Sequence, residues 1–144
     1  MRNQDEALSL GALGQFVGAY PITLFRPLAY YDKHLDCIRI QVKDCSFTEV
    51  RLNRLFTLWY ENHVTSKKTV GFSIKGVKHL FVSLGLPESG PVYVAQIIDG
   101  ILRLYPEKKM QEVIEVIKKN FKNFLDLEVT ELPPGSIETQ ALSK

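Results

Sequence analysis

Only two cysteines, one tryptophan and three histidines stand in 144 residues, and each scarcity closes a route. Two cysteines cannot build a disulfide framework. Between Cys37 and Cys45, Ile38, Ile40 and Val42 alternate with Arg39, Gln41 and Lys43, the period of a half-buried strand. Extended chain of that length spans roughly 26 Å, whereas a disulfide needs Cα atoms within ~7 Å. Both thiols are therefore expected to be reduced, as in a cytoplasmic protein. His34, His63 and His79 have no metal-ligand spacing with the cysteines, and neither a His-Glu-x-x-His nor a Gly-x-Ser-x-Gly pattern occurs. No cofactor or metal is expected, and the chain reads as a binding protein sooner than as an enzyme.

Long apolar runs are also missing. Ala7–Phe25 carries no charge, but Ser9, Gly11, Gly14, Gln15, Gly18 and Pro21 interrupt it, and the preceding MRNQDE holds two acids, unlike a signal peptide. Leu13, Phe16, Val17 and Tyr20 fall at i, i+3, i+4, i+7 and predict a buried helix ending before Pro21. No membrane association is expected. Repeats and internal linkers are lacking too, so the composition, 45% hydrophobic and 24% charged, points to one globular domain over 1–131. Residues 132–144 have no apolar period and read as a flexible tail.

What is present gives an α+β reading: a single domain of about four helices packed on a small, mostly antiparallel sheet. Strands are expected at 37–43, 69–74 and 127–131, and an extended piece around Pro27. Ser46 and Glu49 stand three apart before Leu52, Leu55, Phe56 and Trp59, which predicts a capping box opening a helix, with Cys45 and Val50 as an apolar staple. The aromatic and β-branched residues at 57–61 suit a strand equally well. Val50 and Leu58 lie off that helical stripe, which leaves a second buried side or a dimer contact open and the oligomeric state undetermined. Further helices are expected through Val77, Leu80, Phe81 and Leu84, closed by Gly85-Leu86-Pro87; through Val94, Ile97, Ile98, Ile101 and Tyr105, opened near Ser89; and through Met110, Ile114, Ile117, Phe121 and Leu125.

Charge is uneven. Residues 62–87 hold Lys67, Lys68, Lys75, Lys78, His63 and His79 and no acid, while 126–143 hold Asp126, Glu128, Glu131 and Glu138 and no base. Lys75, Lys78 and His79 share a stripe near a helix start, where anions are favoured. Gly71 and Gly76 resemble the glycines of a phosphate loop, but Val77 and Lys78 stand where Lys and Ser or Thr are needed. The leading expectation is a small soluble interaction or regulatory protein that captures an acidic protein surface through Lys67, Lys68, Lys75, Lys78 and His79. One alternative is a nucleic-acid-binding domain with a helix-turn-helix-like pair over 77–105, reading through Tyr93, Gln96, Asp99 and Arg103. The other is a thiol- or metal-dependent enzyme, using Cys45 as a reactive thiol near a helix start or the cluster Asp32, His34, Asp36, whose side chains share a face if the segment is extended.

Overall fold

A computed structural model of the chain describes residues 24–86 and 90–131. Five strands come first: β1 Leu28–Asp32, β2 Cys37–Gln41, β3 Phe47–Arg51, β4 Phe56–Glu61 and β5 Thr69–Lys75. Helices α1 Val77–Leu84, α2 Val94–Leu104 and α3 Lys108–Phe121 follow, then a 3-10 turn, Lys122–Phe124, and the short β6 Val129–Thr130. The sheet order is β3-β4-β5-β2-β1-β6, antiparallel throughout except for the parallel pair β1/β6.

Strand alternation sorts the side chains onto two faces. Ala29, Tyr31, Ile38, Ile40, Phe56, Leu58, Phe72 and Ile74 point to one side. There they join Val77 and Leu80 of α1, Val94, Ile97, Ile98 and Ile101 of α2, and Met110, Ile114, Ile117 and Phe121 of α3 in one apolar cluster. Phe72 meets Phe121 with ring centroids 4.9 Å apart, which seats α3 on the middle of the sheet. The apolar stripes of α2 and α3 are the expected ones.

The helix ends follow local chemistry. Gly85 adopts φ 62°, the left-handed region that costs a residue without Cβ least, and Leu86 N–H donates to the Phe81 carbonyl at 3.4 Å, closing α1 as expected. The start of α2 differs from expectation. It opens at Val94, with Gln96 Oε1 accepting the Tyr93 N–H at 2.7 Å. The expected cap Ser89, the N-terminal helix over 7–20, and the tail 132–144 lie outside the described residues.

One expectation is corrected outright. No helix starts at Ser46, and the described residues contain three α-helices instead of about four. Phe47–Arg51 and Phe56–Glu61 form a hairpin whose turn is set by Asn53, its Oδ1 accepting from Leu55 N–H at 2.9 Å and Phe56 N–H at 2.8 Å. The capping box therefore does not form. Glu49 instead bonds Arg39 across the sheet at 3.2 Å. The staple of Cys45 with Val50 is absent as well, since Val50 is exposed on an edge strand, and of the two residues off the expected stripe, Val50 and Leu58, Leu58 enters the core. The physical reason lies in β4. Its first four residues are buried on both faces, so it lacks the polar alternation that marks a strand, and Leu52, Leu55, Phe56 and Trp59 imitate a helical stripe by coincidence.

Candidate functional site

The basic segment does not fold into one patch. Lys67 and Lys68 sit in the loop between β4 and β5, whereas Lys75 is the last residue of β5 and Lys78 lies in α1 beyond it, and the seven residues of β5 span on the order of 20 Å. Lys67 lies over the Tyr60 ring, 5.1 Å from its centroid. Lys43, at the same end, is engaged with Glu61 at 2.9 Å.

At the other end Lys75, Lys78 and His79 acquire neighbours that sequence proximity does not supply. The β1–β2 turn folds over the first residues of α1 and is held there by Asp36. Its backbone carbonyl accepts from Gly76 N–H at 3.1 Å and Val77 N–H at 3.3 Å. Its Oδ1 accepts from Lys78 N–H at 3.1 Å and from the Tyr31 hydroxyl at 2.9 Å. Asp36 thus supplies in cis the anion that a helix start favours. The turn so held carries Lys33, His34 and Leu35, all exposed, and the helix it meets carries exposed Lys78 and His79. Asp32, the other acid of the turn, accepts from the His34 and Leu35 backbone N–H groups at 3.0 and 3.2 Å.

That geometry corrects the reading of Asp32, His34 and Asp36 as an extended acid–histidine cluster. The chain reverses there, and both carboxylates serve the turn and the helix start. Among the described residues no group of three His, Cys, Asp or Glu side chains could hold a metal ion.

Burial, the Asp36 hydrogen bond and the Asp36 charge push the Tyr31 phenol well above its ordinary ionisation range. The folded state therefore keeps the proton longer than the unfolded chain, and the stability this provides is complete below about pH 10 and declines as pH rises beyond it. Tyr31→Phe should flatten the alkaline loss of stability, as read from urea midpoints measured on either side of pH 10. An identical alkaline slope in both proteins would remove Tyr31 from that account.

Cys45 lies in the β2–β3 connection, not at a helix start, and is half-buried. Burial raises its thiol pKa, Glu61 adds to the rise, and Lys43 only partly opposes it. Its thiolate fraction at neutral pH is consequently low. Cys45 should react with an aromatic disulfide reagent at pH 7 no faster than free cysteine does, with Cys45→Ser assigning the signal; faster reaction would reinstate it as a nucleophile. Cys37 is buried, and burial raises its pKa too.

The α1–α2 pair offers little for reading base edges. Gln96 bonds the Tyr93 backbone and Asp99 pairs with Lys118 at 3.4 Å, so of the four residues expected to read bases only Arg103 is a cation. Two open surface clefts are found among the described residues, one at the start of α2 lined by Tyr93, Gln96, Lys122 and Asp126, the other lined by Leu52, Asn53, Glu112 and Val116. Neither contains a residue of the expected basic site. No helix among the described residues is long and apolar enough to cross a membrane. Comparison with protein-family models, with curated proteins and with solved structures finds no match.

Proposed function

We propose that the protein is an interaction module that captures an acidic partner surface at the end of the sheet where the β1–β2 turn meets α1. The observation that carries this reading is the Asp36 clamp. It ties the turn that carries Lys33 and His34 to the start of the helix that carries Lys78 and His79, just after Lys75, while turning the two local carboxylates toward hydrogen-bond donors of their own chain. The same turn and the same helix also carry exposed apolar Leu35 and Val82. Surface charges steer encounter and choose partners more than they add affinity, and they do so less as salt rises. Lys67 and Lys68, at the far end of β5, play a lesser part in the same capture.

The test is a titration of a labelled polyglutamate peptide by fluorescence anisotropy at low and high salt. Binding should weaken as salt rises, fall several-fold in Lys75→Glu/Lys78→Glu, and change less in Lys67→Glu/Lys68→Glu. Binding indifferent to salt and to the first pair sinks the reading. A duplex DNA of similar charge serves as the counter-probe, since preference for it would favour the nucleic-acid alternative through 77–105.

A further inference from the structure

All three described helices pack on one face of the sheet, so the strand residues pointing the other way should be wet. They are not. Cys37, Thr57, Trp59 and Ser73 are 2%, 4%, 0% and 1% exposed, as dry as the main core. Phe47 stacks on the Trp59 indole at 4.4 Å with planes 4° apart, and the Arg39 guanidinium lies 4.5 Å from the same ring. Thr57 and Ser73 bond each other through their hydroxyls. The indole N–H is buried with no hydrogen-bond partner among the described residues, although buried tryptophans ordinarily find one. None of this joins the apolar cluster beneath the helices. The sheet has a second dry layer, and no described element lies over it.

We propose that residues 7–23 of this same chain cover that face. The stretch ends directly before Leu24, only a few residues ahead of β1, so its tether to the sheet is short. Even at the helical rise of about 1.5 Å per residue it reaches roughly 25 Å, comparable to the width of a six-stranded sheet at ~4.8 Å per strand. Its chemistry matches the face. From Ala7 to Phe25 there is no charge, and on the face the charges of Arg39 and Glu49 already meet each other. Leu13, Phe16, Val17 and Tyr20, spaced for one side, need an apolar partner, and Trp59, Phe47 and Cys37 present one. Ser9 and the carbonyls of the stretch are acceptors for the stranded indole N–H.

Trp59 is the only tryptophan, so its fluorescence reports on this face alone. In the full chain, Phe16→Asp should shift Trp59 emission to the red and raise its acrylamide quenching several-fold, while Gln15→Asp, off the stripe, leaves both nearly unchanged. The milder Phe16→Ala should give an intermediate response with native circular dichroism, which carries the test if the aspartate variant fails to fold. Unchanged emission and quenching in a folded Phe16→Ala protein overturns the proposal. So does protection of Trp59 that grows with protein concentration, which assigns the face to a second copy, or exposure caused by Ile137→Asp, which assigns it to the C-terminal stretch.

Discussion

Phe72→Ala should lower unfolding stability by about 3–5 kcal/mol, a large share of the 5–15 kcal/mol typical of a domain. Phe72 is fully buried in β5, between Leu58 of β4 and Ile40 of β2, and its ring is what α3 rests on through Phe121. Removing it deletes apolar contact with the sheet and with the helix layer together. The surrounding backbone is held by ladder hydrogen bonds on both sides and cannot collapse into the space, so the cavity cost is not relieved. Urea unfolding followed by circular dichroism gives the number. A loss below about 1 kcal/mol would mean that α3 does not sit on this residue.

The opposite error one residue earlier should be nearly as severe. Gly71 faces the other side of the sheet, directly under the Trp59 ring, and a Cβ there would overlap both that ring and the Ile40 carbonyl oxygen. A flexible neighbour could yield, but a β-sheet carbonyl in a central strand and an indole held between Phe47 and Arg39 cannot. Gly71→Val should therefore destabilise by about 1–3 kcal/mol or more, even though valine is the better strand former. The expected signature is a lowered midpoint together with altered Trp59 emission. A stabilised protein would show that the indole is not where it is placed. Adjacent residues thus fail in opposite directions, one for want of bulk and one for excess of it, because they serve different faces.

The helices α2 and α3 were legible because each buries one stripe and leaves the rest wet, so the 3.6 period survives in the sequence. β2 was legible for the corresponding reason, with Ile38 and Ile40 against Arg39 and Gln41. The β3–β4 hairpin was not. Burial of β4 on both sides erased its alternation, and the signal that could have corrected the reading was Asn53, an ordinary turn former between two runs rich in aromatic and β-branched residues. The candidate site divides in the same way. Lys78 and His79 open one helix and could be read locally, but Lys75 ends β5 and Gly76, at φ 67°, separates it from that helix, so the expected stripe of three does not form. The tie between this helix start and the turn that carries Lys33 and His34 rests on a contact between Asp36 and Lys78, 42 residues apart. Nothing near Asp36 announces that partner. The lysines at 67 and 68 misled in the reverse sense, being close along the chain and far along the strand.

The parallel pair β1/β6 has a consequence for the order in which the protein assembles. Thr130 hydrogen-bonds the Ala29 carbonyl 101 residues earlier, and the two strands share only two register positions. The β1–β2 and β3–β4–β5 hairpins close short loops and can form while the chain is still being synthesised. Sealing the far edge must wait until α1, α2 and α3 have left the ribosome and packed, since only then is the entropy of so long a loop offset by contacts already made. Until that moment β1 presents an open strand edge, and the interval between the two events is when the nascent chain is most exposed to pairing with the wrong neighbour.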